Sequence, residues 1–277
     1  MRTFSELLKL GESGHVVLGT WSQIGAAEVI DILGTCGFDF VVLDAQHTSL
    51  TMQTLENMAR ACAANGLVPI VRVADNLPHL ILQACDLGAA AVVVPGISTR
   101  EAAEAAVRAA RFGPGGQRSA CPMVRSAGQF TADWRAYAEH SDAETGVIAL
   151  VETPEGIRNC DAIATVPGIA AILAGPFDLA VAMGHGNDMR HSEVVNAMAK
   201  LVEAARRAGV ALIMPIFAPA AEECRQVMEQ WKQRGVTLFT VGGDKLFLAD
   251  YVRRYVGEMR APRPSAVKSR SRPSANR

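Results

Sequence analysis

Short apolar runs alternate along the chain with longer segments in which apolar residues recur every three or four positions. The runs fall at 16–20, 38–43, 68–73, 90–94, 147–151, 170–174, 211–216 and 237–241. Each is continuous and does not alternate with polar residues, the pattern of parallel strands covered on both faces. The segments at 26–36, 52–64, 100–111, 154–166, 193–208, 220–234 and 245–259 carry helical spacing, and a shorter helix fits 77–87. Eight such units predict an α/β fold, a closed (β/α)8 TIM barrel occupying residues 1–261. An open doubly wound sheet is the competitor. It usually carries a glycine-rich loop after its first strand, whereas here the first run continues into Trp21-Ser22-Gln23-Ile24.

Two stretches break the rhythm. Residues 112–142 are too long for a simple connection and contain Gly113-Pro114-Gly115-Gly116-Gln117-Arg118. They read as a loop with a short helix near 131–139, a candidate lid, because long loops in compact domains are often functional. Residues 262–277 are rich in Pro, Ser, Lys and Arg with almost no apolar content, and read as a disordered basic tail.

Composition adds little to this picture but excludes some functions. With 49% hydrophobic and 20% charged residues, the chain can bury a large core, and only 5% aromatic residues make it a core of Ala, Val, Ile and Leu. The 27 basic and 28 acidic side chains nearly cancel, so bulk charge attracts neither nucleic acid nor an anionic membrane. No apolar run approaches the ~18 residues of a membrane span. The amphipathic segment 1–10 lacks the apolar stretch of a signal peptide. A soluble, cytoplasmic protein is expected. Cys36, Cys62, Cys85, Cys121, Cys160 and Cys224 form no CxxC pair and read as reduced, mostly buried thiols.

In barrel enzymes the catalytic groups cluster at the C-terminal ends of the strands. The second strand runs into Asp44-Ala45-Gln46-His47. A turn brings Asp44 and His47 together, and a carboxylate beside an imidazole fixes its tautomer and raises its basicity. A helix-capping Asp and an ordinary loop His are the alternative. The third strand ends in Arg72, a guanidinium suited to a carboxylate or a developing enolate, or else to a structural salt bridge. The fifth ends in Glu152, and the sixth runs into Gly175-Pro176-Phe177-Asp178. Two carboxylates at one mouth repel unless a proton or cation intervenes. Mg²⁺ or Mn²⁺ suits such a pair, while a helix-capping role for Asp178 is the alternative. Together these residues outline enolate chemistry, in which a hard cation and Arg72 hold a 2-oxo acid while a base moves a proton.

These residues, with Gly19-Thr20-Trp21, Val71-Arg72-Val73, Asp86-Leu87-Gly88-Ala89, Val94-Pro95, Glu152-Thr153 and Gly175-Pro176-Phe177-Asp178-Leu179, carry a resemblance. From about Gly19 to Asp244 the chain resembles the class II pyruvate aldolases, the 4-hydroxy-2-oxoheptanedioate and 2-dehydro-3-deoxygalactarate aldolases of the phosphoenolpyruvate/pyruvate barrel superfamily. The resemblance implies a lyase that cleaves a 4-hydroxy-2-oxo acid to pyruvate and an aldehyde through a metal-bound enolate. It implies Glu152 and Asp178 as ligands of a divalent cation, Mg²⁺ or Mn²⁺ with Co²⁺ or Zn²⁺ as options. It implies Arg72 as the pyruvate and enolate partner, and Asp44 and His47 in proton transfer. Gly175, Pro176, Gln46 and Trp21 are implied as substrate contacts. It also implies a homo-oligomer, a hexamer built as a trimer of dimers with exchanged terminal helices, in which the Asp86 loop approaches a neighbouring site. Two positions depart from the common pattern. Gln46 stands where many members have Glu, and Leu150 where many have Gln, which points to a different aldehyde side.

Two other readings compete. A citrate-lyase or malyl-CoA-lyase type of enzyme needs a surface for the CoA nucleotide, and no basic cluster outside the tail offers one. A non-catalytic binding barrel has no need of the acid pair and Arg72.

Overall fold

The structure, a computed structural model, describes residues 2–218 and 220–261; the predicted tail at 262–277 lies outside them. Eight strands close a barrel in sequence order: β1 (Val17–Ser22), β2 (Phe40–Asp44), β3 (Val68–Arg72), β4 (Ala91–Val94), β5 (Gly146–Val151), β6 (Ile169–Ala174), β7 (Ala211–Ile216) and β8 (Leu238–Val241). Every pairing is parallel, and β8 returns to β1. The predicted fold is therefore the observed one, with strand bounds shifted by a residue or two.

The apolar runs are continuous because the barrel has two cores. Phe40 and Val42 of β2 point inward, where they meet Val17, Ile70 and Ile148. Val41 and Leu43 of the same strand point outward, into the layer beneath the helices with Val71 and Val92. Both strand faces are thus dry, and alternation disappears from the sequence. Gly19 makes room inside, since a Cβ there would lie 2.3 Å from the Phe40 ring.

The amphipathic start of the chain is a helix, α1 (Phe4–Glu12). Thr3 and Glu6 form a capping box at its N-terminus. Its Phe4 and Leu7 are buried in the inner core, and Phe4 packs on Gly146 at the start of β5. Burying each of these side chains contributes about 2 kcal/mol, and α1 stoppers the N-terminal end of the barrel.

The outer helices are α2 (Ala27–Gly34), α3 (Met52–Ala64), α4 (Pro78–Asp86), α5 (Arg100–Ala110), α6 (Trp134–Glu144), α7 (Pro154–Arg158), α8 (Cys160–Ala164), α9 (Pro176–Ala182), α10 (Ser192–Ala208), α11 (Ala221–Lys232) and α12 (Asp244–Arg260). Three expectations need correcting. The helix predicted over 154–166 is two helices, broken at Asn159, whose amide donates to the Ser98 carbonyl at 2.8 Å. Residues 112–142 do not form a lid over this barrel's own mouth. They connect α5 to β5 and so sit at the N-terminal end, opposite the catalytic face. Arg118 bonds Asp86 at 2.7 Å and Ser141 at 2.9 Å, and Arg125 donates to the Leu87 carbonyl at 2.6 Å, which pins the segment there. The thiols are free, but only Cys62, Cys85 and Cys160 are buried, while Cys36 and Cys121 are exposed. Burial pushes Cys62 up to about 12 and Cys85 to about 11, which keeps both protonated and inert.

The apolar stripe of α12 is left uncovered. Asp244 is its one buried residue, and Leu248, Tyr251, Tyr255 and Met259 are each more than half exposed. Among the described residues no helix is long and apolar enough to cross a membrane.

Candidate active site

A cavity of 660 Å³ opens at the C-terminal mouth of the barrel. Its polar wall is made by His47, Arg72, Glu152, Asp178 and Asn187; Trp21, Leu150, Leu173, Pro215 and Phe217 form much of the rest. Seven of the nine residues expected to contact metal or substrate, or to act on it, therefore share one cavity: Trp21, His47, Arg72, Glu152, Gly175, Pro176 and Asp178. Asp44 and Gln46 are not on its wall.

Glu152 follows β5 and Gly175 follows β6, one step past the paired residues Val151 and Ala174. The contact is tight: a Cβ on Gly175 would lie 2.2 Å from Glu152 Cβ and 3.3 Å from Oε2. Glycine is required here for space alone, because the backbone φ of −113° is ordinary. Gly96, in the turn after β4, donates its N–H to Glu152 Oε1 at 2.9 Å. One carboxylate oxygen is thereby anchored. Burial pushes the Glu152 carboxyl above the usual carboxylate range, the Gly96 N–H pulls it back, and the adjacent Asp178 charge adds to the rise.

Asp178 lies in the first turn of α9 and does not cap it. The cap position belongs to Gly175, which makes no side-chain bond. The capping alternative for Asp178 fails, although the helix dipole still favours an acid there. Gly175 and Pro176 line the cavity, but neither offers it an N–H. The Gly175 N–H is spent on the Val151 carbonyl at 2.9 Å, and proline has none. The free donors of this turn are the N–H groups of Phe177 and Asp178.

Asp44 and Arg72 end neighbouring strands and are paired in register. Arg72 Nε donates to Asp44 Oδ1 at 2.9 Å and Nη2 to Oδ2 at 2.7 Å. The guanidinium also lies over the Trp21 indole, 4.5 Å from the ring centroid, and Trp21 Nε1 donates to Thr240 Oγ1 at 2.9 Å. Burial pushes the Asp44 carboxyl up, but the hydrogen bonds and charge of Arg72, helped by Gln23 and the Gln46 N–H, outweigh it. The group sits below the usual carboxylate range. This overturns the expected Asp44–His47 side-chain pair. Asp44 accepts the backbone N–H of His47 at 3.3 Å, not its imidazole, and its two oxygens are taken by the guanidinium fork. The His47 side chain is exposed at the rim.

Gln46, expected as a substrate contact, does not line this cavity. Its Oε1 is buried and has no hydrogen-bond partner. Such an acceptor costs free energy until a donor reaches it.

The family profile of HpcH/HpaI aldolase/citrate lyase matches residues 18–242. The chain belongs to this family. A hydroxypyruvate/pyruvate aldolase of Pseudomonas aeruginosa is 31% identical over 262 residues, covering 93% of this chain and 94% of that protein. A 5-keto-4-deoxy-D-glucarate aldolase of Escherichia coli O139:H28 is 32% identical over 232 residues, 83% and 87% of the two chains. The crystal structure of an HpcH/HpaI aldolase/citrate lyase family protein from Burkholderia cenocepacia J2315 superposes with a TM-score of 0.85 at 31% identity, over 94% of this chain and all of that one. As an HpcH/HpaI aldolase the chain is a carbon–carbon lyase.

Several residues that build this aldolase's mouth are not among those singled out in the sequence. Gln23 donates to Asp44 Oδ2 at 2.7 Å and steadies the Asp44–Arg72 pair. Gly96 acts through its backbone. Asp244 is buried and receives the Ser22 hydroxyl and the N–H groups of Gln23 and Ile24, all on Oδ2 at 2.8–2.9 Å. It ties the turn after β1 to the start of α12. An acid directly after Gly242-Gly243 at the end of the last strand was the available clue, by the same strand-end rule that singled out Glu152.

Proposed function

We propose that the chain catalyses reversible, divalent-metal-dependent aldol cleavage of a 4-hydroxy-2-oxo acid to pyruvate and an aldehyde. The observation that carries this reading is the meeting of Glu152, Asp178, Arg72 and His47 on one cavity at the barrel mouth.

The acid pair suits a cation on its own chemistry. Two adjacent carboxylates, one of them raised by burial and by its neighbour's charge, are an electrostatic liability that a hard divalent ion removes. Glu152 and Asp178 would hold it, with Mg²⁺ or Mn²⁺ preferred by an all-oxygen set. When bound, the cation supplies Lewis-acid polarisation of the 2-oxo group and charge compensation for the enolate.

The protein's own groups account for the rest. With Nε and Nη2 committed to Asp44, Arg72 keeps Nη1 for the substrate and donates it to the oxygen that gains charge as the C3–C4 bond breaks. The pyruvate carboxylate rests on the Phe177 and Asp178 N–H groups. His47, at the rim, takes the proton of the 4-hydroxyl as the aldehyde forms and returns it to the enolate carbon to give pyruvate, which leaves the imidazole as it began. Asp44 is a positioning residue for Arg72.

The aldehyde side is uncharged. Among the described residues no basic side chain but Arg72 and His47 lines the cavity, and Trp21, Leu150, Leu173, Phe217 and Leu246 make its wall apolar. A second carboxylate on the aldehyde would find no partner there.

The uncovered stripe on α12 supports a homo-oligomer in which a second copy covers Leu248, Tyr251, Tyr255 and Met259; that it is a hexamer is what the family resemblance implies. Light scattering on the full chain and on a Tyr251→Glu variant tests this.

The function is tested by proton–deuterium exchange at the pyruvate methyl in heavy water, after chelation and again with Mg²⁺ or Mn²⁺. Metal-dependent exchange without CoA is expected, and Glu152→Ala or Asp178→Ala abolishes it. Exchange that needs a CoA thioester would overturn the reading in favour of citrate-lyase-type chemistry.

A further inference from the structure

The segment that joins α9 to α10 carries a second cluster of donor atoms outside the acid pair. His185, His191 and Glu193 each place one ligand atom within 4.8 Å of the other two, the one such group of three His, Cys, Asp or Glu residues among the described residues. His185 Nε2 lies 2.9 Å from Glu193 Oε2. The two imidazoles are stacked, with centroids 3.6 Å apart and planes 17° from parallel. The cluster thus presents two imidazole rings beside a carboxylate, with one donor atom of each residue in mutual reach.

We propose that His185, His191 and Glu193 form a binding site for a borderline divalent cation of the Zn²⁺ class, separate from the site of Glu152 and Asp178. Two imidazoles and one carboxylate make the three-protein-ligand set that Zn²⁺ accepts with water in the fourth place. The choice of metal follows from ligand type. Nitrogen donors favour Zn²⁺, Co²⁺, Ni²⁺ or Cu²⁺, whereas the all-oxygen acid pair favours Mg²⁺ or Mn²⁺. The two sites are thus distinguishable in a mixture.

The local structure can close on an ion. The three ligand atoms already lie within 4.8 Å of one another. All three side chains retain access to solvent, so the ion has a path in and the rings have room to turn. The bond that holds His191, from the Glu193 N–H to Nδ1, is long at 3.4 Å. His185 now donates Nε2–H to Glu193. To ligate through Nε2 it moves that proton to Nδ1 through solvent, and the ion replaces the proton between nitrogen and oxygen.

The consequence concerns the catalytic rim. His185 starts and His191 ends a short stretch that contains Asn187 and Met189, both on the wall of the catalytic cavity. An ion bridging the two ends closes this stretch into a clamped loop and fixes those two wall residues. The competing account is that the cluster only caps α10 through His191 and binds nothing.

The inference stands independently of the aldolase reading, and its test reads metal, not turnover. Untagged full-length protein is dialysed against Zn²⁺ in excess Mg²⁺, which occupies the acid pair, and compared with His185→Phe, which keeps a stacking ring but has no ligand atom. Wild type is expected to hold one more Zn²⁺ per chain than the variant, with affinity there weakened at least about 100-fold. Thiols take up metal equally in both proteins and cancel. With Co²⁺, wild type is expected to show the strong visible bands of a tetrahedral site and the variant to lack them. Glu193→Gln, which preserves an acceptor for His185 and the helix start, gives a second comparison and is expected to lose most of the binding too. Equal Zn²⁺ uptake by wild type and both variants, or Co²⁺ spectra that do not differ, would overturn the proposal.

Discussion

Asp44 grips Arg72 with both oxygens, at 2.9 and 2.7 Å, from the neighbouring position on the adjacent strand. The pair is almost dry, with Asp44 fully buried and Arg72 9% exposed. A bidentate fork fixes the plane of the guanidinium as well as its position, and the guanidinium also lies over the Trp21 ring. Asp44→Asn breaks the pair and leaves a buried cation without its counter-charge, which should cost about 3 kcal/mol of stability in urea denaturation. Because the guanidinium turns, kcat/KM should also fall about 100-fold. Arg72→Lys should lose as much activity, since an ammonium cannot reproduce the fork. Full activity in Asp44→Asn would remove Asp44 from the positioning role.

The same pair sets an acid limb. The folded-state pKa of Asp44 is held below the ordinary value, so its stabilising contribution is complete above the unfolded pKa of about 3.9. It is lost as pH falls through the lower folded value. Stability attributable to this pair should therefore be flat around neutrality and decline only in strong acid. Comparing wild type with Asp44→Asn across acidic pH, in thermal unfolding, isolates it.

Glu152 behaves in the opposite sense. Its carboxyl is raised by burial and by Asp178 despite the Gly96 N–H. A raised acid favours the fold while protonated: its contribution is full below the unfolded pKa of about 4.3 and is lost as pH rises through the higher folded value. Metal-free protein should thus be penalised by this group near neutral pH, and Mg²⁺ or Mn²⁺ should restore the melting temperature. Glu152→Gln, without metal, should melt at or above wild type near neutrality and gain nothing from either ion. A metal-free Glu152→Gln that melts well below wild type would show that the ionised carboxylate is stabilising and the account wrong.

Gly175 offers a cleaner way to disturb the metal pair. A methyl group there would lie 2.2 Å from Glu152 Cβ and 3.0 Å from its Cα, and atoms at the root of a side chain cannot yield as its flexible end does. Gly175→Ala should push Glu152 off its Gly96 anchor, weakening divalent-cation binding and pyruvate exchange together while the barrel still folds. Calorimetric titration with Mn²⁺ and circular dichroism together read the two halves of that expectation.

How far the sequence carried depended on the kind of interaction involved. Continuous apolar runs such as 38–43 and 68–73 report burial on two faces, a local property, and so the barrel was legible. Glu152, Asp178 and Arg72 were legible because a charged group at a strand end has few structural uses. The partner of Asp44 was not. Spacing suggested His47, three residues on, but the register of β2 against β3 delivers Arg72, and register is a tertiary fact. Residues 112–142 were misplaced for a related reason: length marked them as unusual, while only chain order through α5 and β5 tells which end of the barrel they occupy. Gln23 and the Gly96 N–H act across the mouth and leave no pattern in sequence.

Leu150 separates the two halves of the substrate. It is 2% exposed, belongs to the inner core and forms part of the cavity wall, two residues before Glu152 on β5. An apolar side chain there cannot donate to a hydroxyl on the aldehyde. Leu150→Gln adds a donor and acceptor of similar size at that wall, while Arg72, Asp178 and the first turn of α9 are left in place. Pyruvate exchange should change little, because it uses only the pyruvate half. In aldol synthesis from pyruvate, the ratio of kcat/KM for a hydroxylated aldehyde over an apolar one of equal length should rise, by about tenfold if one good hydrogen bond is gained. A variant that lost pyruvate exchange in proportion would place Leu150 with the pyruvate half instead, and the apolar wall would then say nothing about which aldehyde the enzyme takes.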